Sequence, residues 1–224
     1  MPMELVPLAQ KLSLTEKQVG DLITHAGTLG GRDVVAIVTG MGTAFAREHT
    51  ERLLDAMPVD QVVVVGITGA LENDTPIGTL IRPEVVVNSA TGSEHRPAPF
   101  GEQAPHGTMW TTDVLITDPE ALAALRARGV VSLDMETAAI AAVCEARGIP
   151  WSVFRVISDR ASDGSVDEEV FRMSNQDGTP NAEAIASYFE RHPERLPLMA
   201  RMAEDAKLAT ETAADAAIAA CSHL

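Results

Sequence analysis

An α/β fold is what this sequence predicts, on three observations. Strand-length apolar runs alternate with stretches whose apolar residues recur three and four apart, the pattern of strands joined by helices. The chain has 224 residues, enough for one domain with a full α/β core. Aromatic residues make up only 4%, so that core must be mainly Val, Ile, Leu, Met and Ala. No internal repeat or low-complexity linker divides the chain, and a single domain over residues 1–224 is expected.

Composition also excludes function classes. A formal charge of −15 argues against a nucleic-acid partner, whose backbone requires a basic stripe that is not present. Cys144 and Cys221 have no metal or disulfide spacing. His95 and His106 lack ligand spacing and read as solvated loop residues, so neither a metal nor a cofactor is expected. The opening MPMELVPLAQKL carries no basic leader, and no segment approaches ~18 continuous apolar residues. A cytoplasmic protein without membrane association is the expectation.

The elements follow in order. Glu4 reads as a surface residue starting a helix through Leu12. Asp33 to Thr39 reads as a buried strand, and Gly40-Met41-Gly42 turns it into a helix over 43–57. That turn lacks the third Gly of a dinucleotide fingerprint, so no nicotinamide cofactor is inferred. Gln61 to Gly66 is rich enough in Val for burial on both faces, and Gly66-Ile67-Thr68-Gly69-Ala70 ends it as a turn. Ile77 to Val87 forms a strand or strand pair, with Pro83 at a bend or edge. Asn88 to His106 is polar and rich in Pro and Gly, a long loop. Thr108 to Ile116 is a further strand, and Asp118-Pro119 opens a helix through Arg128.

The densest information lies at Val130 to Asp163. Val130 to Leu133 is an apolar run, and Asp134 offers an N-cap to a helix with Met135, Ala138, Ala139, Ala142, Val143 and Ala146 on one face. Gly148 and Pro150 stop it. Trp151 to Ile157 is a strand interrupted only by Ser152 and Arg155, and it carries Ser158 and Asp159 to its C-terminal end, where open α/β sheets bind ligands. Glu136, in the first helical turn, and Asp159 are expected at one rim. Helix-dipole stabilisation for Asp134 and Glu136, and a loop cap for Asp159, are the plainer alternatives. Beyond Asp163 come a short helix over 166–173, a loop over 175–180, and helices over 182–191 and 196–220. Met199, Met202, Ala203, Ala206, Ala209 and Ala213 of the last one are read as packing on the sheet.

The phrase SLDMETAAIAAVCEARGIPWSVFRVISD, together with VVVVGITGAL and IGTLI, resembles the nucleoside phosphorylase and nucleosidase superfamily, particularly its methylthioadenosine/S-adenosylhomocysteine nucleosidase branch. The resemblance covers roughly residues 33 to 87 and 108 to 163. It implies a single-domain three-layer sandwich, a mixed central sheet flanked by helices, and a homodimer in which a neighbouring subunit completes the pocket. It also implies roles: Asp159 protonates the purine, helped by Ser158; Glu136 accepts the 2′- and 3′-hydroxyls; Met135 packs on the sugar; Thr68 stands near the ribose or phosphate. Leu115, with Ile116 beside it, takes the place where the family often stacks an aromatic ring on the base. Glu4 stands for the family's water-activating glutamate, although the strand that usually precedes that residue has no counterpart here. The segment over 88–106 is shorter than the family's pocket wall, which implies a more open site. Val64 and Val65 occupy the place of the phosphorylases' phosphate-holding arginine, which favours water as nucleophile; Arg47 is the alternative cation.

Such residues suit cleavage of an N-glycosidic bond. The bond's rupture leaves positive charge on the ribose and negative charge on the base, met by an acid near the base and an acceptor for the hydroxyls. Three functions stay open: a nucleosidase acting on a purine nucleoside, plain or 5′-modified; a phosphate-dependent phosphorylase; and a non-catalytic nucleoside-binding relative.

Overall fold

The computed structural model of the protein describes residues 1–101, 104–161 and 163–222. Its helices are α1 (Pro2–Lys11), α2 (Thr43–Ala56), α3 (Pro119–Ala127), α4 (Thr137–Ala146), α5 (Glu168–Phe171), α6 (Ala182–Arg191) and α7 (Leu196–Cys221). Its strands are β1 (Thr15–Val19), β2 (Leu22–Leu29), β3 (Arg32–Ala36), β4 (Val62–Ala70), β5 (Leu80–Ile81), β6 (Val85–Asn88), β7 (Glu94–His95), β8 (Thr108–Thr111), β9 (Val130–Asp134) and β10 (Trp151–Arg160). Seven strands form a mixed sheet in the order β5-β10-β4-β9-β8-β6-β7, and β1-β2-β3 form a separate antiparallel sheet. The central sheet is covered by α4 on one face, with α2 packed on α4, and by α7 on the other, the expected three layers.

Two strands govern the site. β10 runs parallel to β4 from Trp151↔Val62 onward. On β4, Val64 and Ala70 pack with α4 residues Ala138, Ala139 and Ile140. Val65 and Ile67 pack toward Ala209 and Ala213 of α7. Alternation along a strand therefore turns even-numbered β4 residues to α4 and odd-numbered ones to α7. The register of β10 jumps between Ile157 and Asp159, a bulge that puts one extra residue into the strand. Arg155 and Ile157 face α4; past the bulge, Asp159 faces α7.

Several expectations change. Asp33 to Thr39 is not a buried central strand: β3 is half exposed and sits at the edge of the small sheet, paired with β2, and neither β2 nor the charged strand β1 was expected. Gly66 to Ala70 does not end β4, which runs through it in extended conformation. The helix after β9 starts at Thr137, because Asp134 accepts from Thr137 N–H (2.8 Å) and holds Met135 and Glu136 outside it. Asn88 to His106, of which residues 102 and 103 lie outside the described residues, contains the short strand β7. His95 is buried rather than solvated, its Nδ1 2.7 Å from Glu145 Oε2. On α7 only the later half of the stripe is covered; Met199 and Met202 are half exposed and Ala203 is exposed.

Candidate active site

The α4 side of β4 carries an ionic cluster centred on Arg155. Nη2 of this buried arginine donates to Asp134 Oδ2 (3.1 Å) and Glu136 Oε2 (2.9 Å). Nη1 donates to Glu4 Oε1 (3.3 Å) and the Ile67 carbonyl (3.0 Å). The guanidinium reaches three carboxylates because it crosses Gly66, where an added Cβ would lie 2.7 Å from Nη1 and against the Glu4 carboxylate. Glu4 Oε1 also accepts from Ile67 N–H (2.9 Å), so Glu4 and Arg155 together satisfy both backbone groups of Ile67 on the open edge of β4. Glu4 Oε2 meets the amino group of Met1.

Asp134 is saturated. Thr111 Oγ1 donates to its Oδ1 (2.5 Å), and Glu136 N–H (3.3 Å), Thr137 N–H and Thr137 Oγ1 (2.5 Å) join Arg155 at Oδ2. Glu136 retains more acceptor capacity: Gly42 N–H donates to Oε1 (3.1 Å) and Arg155 to Oε2. Burial lifts the Glu136 pKa above the ordinary carboxylate value; Arg155 pulls against that rise, while Asp134 and Glu4 add to it. Arg155, flanked by three carboxylates, is held protonated far above the working range. The N-terminus of α2 is thus filled by the protein's own anions, since Asp113 Oδ1 also accepts from Thr43 N–H (2.7 Å).

On the α7 side, Asp159 lines a cavity of about 220 Å³ with Ser158, Asp163 and Ser165, closed by Leu198 and Met202 of α7. Gly69 leaves room for it, with Asp159 Oδ2 3.1 Å from where a Cβ would stand. Ser158 Oγ donates to Asp159 Oδ1 (2.6 Å). Burial raises the Asp159 pKa, the Ser158 hydrogen bond opposes that rise, and the Asp163 charge adds to it.

The structure thus brings Glu4 and Glu136 together through Arg155, and Ser158 together with Asp159. It does not join the two groups: among the described residues no hydrogen bond or ion pair links Asp159 with Glu136 or Glu4, and the carboxylate beside Asp159 is Asp163. Met135 is half buried beside the cluster. Thr68 is buried, with its hydroxyl donated to the Leu133 carbonyl (2.6 Å). Ile116 packs on a satellite cluster with Leu71, Leu122 and Leu125, and neither it nor Leu115 lines the Asp159 cavity. Arg47 is exposed, 4.0 Å from Glu51. Sequence reasoning missed Arg155 as a site residue, although a guanidinium inside the apolar run WSVFRVI can be buried only with carboxylate partners, and that was the available signal. Cys144 offers no competing nucleophile, since burial pushes its thiol up to about 12.

A phosphorylase superfamily model matches residues 1–106 and 96–191 of the chain. A 5′-methylthioadenosine/S-adenosylhomocysteine nucleosidase from Shewanella denitrificans is 30% identical over 196 residues, covering 74% of this chain and 85% of that protein. Among solved structures, a Helicobacter pylori 5′-methylthioadenosine/S-adenosylhomocysteine nucleosidase in complex with a pyrrolopyrimidine-bearing pyrrolidinol superposes with a TM-score of 0.74 at 16% identity, covering 100% of this chain and 95% of that one. The futalosine hydrolase of Helicobacter pylori matches with a TM-score of 0.74, 16% identity and the same coverage.

Proposed function

This chain belongs to the phosphorylase superfamily, and from that membership we infer that it is a nucleosidase, hydrolysing the N-glycosidic bond of a purine nucleoside. The observation that carries hydrolysis over phosphorolysis is the state of the α2 N-terminus and of Arg155. Gly42 and Thr43 N–H groups are bonded to Glu136 and Asp113, and Arg155 is surrounded by three carboxylates. A phosphate dianion would meet those charges at close range, whereas water meets no such penalty.

In the reaction, Asp159 gives its proton to the leaving base. A half-buried acid whose pKa is raised by burial suits that step, since the rise favours the protonated form that must give up its proton. Glu136 accepts the ribose hydroxyls with the lone pairs left after Gly42 and Arg155, and Glu4 takes the proton of the attacking water. Met135 and Thr68 bound the sugar and Ser158 orients Asp159, while Leu115 and Ile116, which do not line the Asp159 cavity, are assigned no contact to the base. The base and ribose halves lie on opposite faces of β4, so the nucleoside bridges the C-terminal end of that strand.

The substrate is read as a 5′-modified adenine nucleoside of the methylthioadenosine or S-adenosylhomocysteine kind, on the strength of the Shewanella denitrificans relative's activity. The reading treats residues 1–224 as one nucleoside phosphorylase-like domain, working as a cytoplasmic homodimer; sedimentation of the purified protein at twice the monomer mass checks the assembly. Release of free base from methylthioadenosine, S-adenosylhomocysteine, futalosine, inosine and a pyrimidine nucleoside, with and without phosphate, tests the function. Phosphate-independent release from a purine nucleoside is expected, and release only with phosphate would overturn it.

A further inference from the structure

The proposed mechanism leaves Asp163, a carboxylate of the Asp159 cavity, unused. Asp163 stands four residues past Asp159, beyond the end of β10, and lines the same cavity of about 220 Å³. Its Oδ1 accepts from Ser165 N–H (2.8 Å), which fixes the carboxylate at the wall instead of leaving it to swing into solvent. Resting on the reading of Asp159 as general acid, we propose that Asp163 is a positioning residue for the Asp159 proton. Its negative charge, across the shared cavity, keeps that proton on the acid and thereby sets the upper pH limit of turnover.

The surrounding charges make the assignment specific. Ser158 donates to Asp159 Oδ1 at 2.6 Å and so favours the ionised acid, the wrong state for protonating a base. Of the two cations lining the cavity, Arg160 donates its Nε to the Thr75 carbonyl (3.1 Å) and Arg201 of α7 is exposed. Asp205, one turn beyond Arg201, adds a further carboxylate to the α7 wall. Among the groups that face Asp159, Asp163 is the fixed anion that opposes both Ser158 and the two guanidiniums. Burial alone also holds the proton, and Asp163 acts on top of it in the same direction. Because Asp163 is itself exposed, solvent and salt screen its effect.

The experiment is the pH profile of kcat/KM for the wild type, Asp163→Asn and Asp163→Glu, paired with a carbon-13 carboxyl titration of Asp159 in the first two. Asp163→Asn is expected to move the alkaline limb down by about half a unit to one unit, lowering the rate at a fixed pH on that limb about threefold to tenfold. Asp163→Glu is expected to restore the limb, and 1 M salt to shrink the difference between wild type and Asp163→Asn. The exposed position leaves folding intact in both variants. An Asp159 midpoint that does not move in the titration overturns the proposal, whether or not the protein turns over. A midpoint that moves in a protein releasing no base supports it as electrostatics and overturns the nucleosidase reading instead.

Discussion

On one face of β4 three carboxylates converge on Arg155; on the other, Asp159 is half-buried, with a serine hydroxyl as its hydrogen-bond partner and a second carboxylate nearby. Both environments are shielded in part from solvent, but they impose different chemistry. Around Arg155 burial raises the Glu136 pKa while the cation pulls against that rise and fixes three carboxylates in direction, which suits acceptors for ribose hydroxyls and a base for water. Around Asp159 burial acts without a bonded cation, which suits an acid that must hold a proton until the base departs. Opposite environments for titratable groups in one site are what an acid/base pair requires.

Removing the cation breaks this contrast most severely. Arg155→Met leaves Glu4, Asp134 and Glu136 facing one another in a buried place, and stripping one partner from such a group costs about 3–5 kcal/mol. Urea denaturation at pH 7 is expected to show a loss of that size, partly recovered at pH 5, where the orphaned carboxylates take up protons. Base release should fall with it. A loss below about 1 kcal/mol would mean that the cluster is solvated in the working protein.

Asp159→Asn should do the reverse, sparing stability while removing the acid. Turnover is expected to fall about 10²- to 10⁴-fold. The sign of the stability change follows from the raised pKa: between the ordinary carboxylate value and its folded value, Asp159 binds more protons native than unfolded. Its favourable contribution is therefore present at low pH and lost as pH rises through the folded value. Asparagine lacks that loss, so the variant should melt above the wild type at pH 8, with the gap closing toward pH 4. A variant that melts lower at pH 8 would show Asp159 to be ionised and stabilised in the fold.

The split between the two faces was only partly legible in the sequence. The alternation of apolar runs and helical patterns gave β4, β9, α4 and β10 their places, and Glu136 and Asp159 stood out because one follows a strand and the other ends one. What the sequence hid was the bulge past Ile157: no residue type there signals an extra residue, yet it turns Asp159 away from Arg155. Gly66 and Gly69 misled for a physical reason. Glycine marks turns through positive φ, but here both are extended and are glycine because side chains from two other elements need the space. Strand β1 escaped because TEKQV is exposed almost throughout and has no buried face to impose alternation.

Those two glycines sharpen the comparison at smaller cost. Gly66→Ala forces a Cβ against Glu4 and 2.7 Å from Arg155 Nη1, an overpacking expected to cost about 1–3 kcal/mol and to disturb two charges at once. Gly69→Ala meets only Asp159 Oδ2 at 3.1 Å, which a shift of a few tenths of an ångström relieves. It should cost less than about 1 kcal/mol yet lower turnover by misaiming the acid. Thermal melts and base release on the pair separate the effects; equal melting losses would place both glycines on one face.

The smallest effect tests whether the α2 N-terminus is closed to anions. Arg47 is half exposed, 4.0 Å from Glu51, and an exposed pair of that length contributes about 0–1 kcal/mol, so Arg47→Ala should leave the melting temperature almost unchanged. The informative readout is phosphate. If Glu136 and Asp113 occupy the Gly42 and Thr43 N–H groups as the hydrogen bonds indicate, base release is the same with and without phosphate in the wild type, and Arg47→Ala changes neither rate. Stimulation of the wild type by phosphate, abolished by Arg47→Ala, would mean that substrate displaces both carboxylates from the helix end and that an arginine on α2 replaces them. The ionic face of β4 would then be a phosphate site in waiting, and its contrast with the Asp159 face would be one of anion exchange.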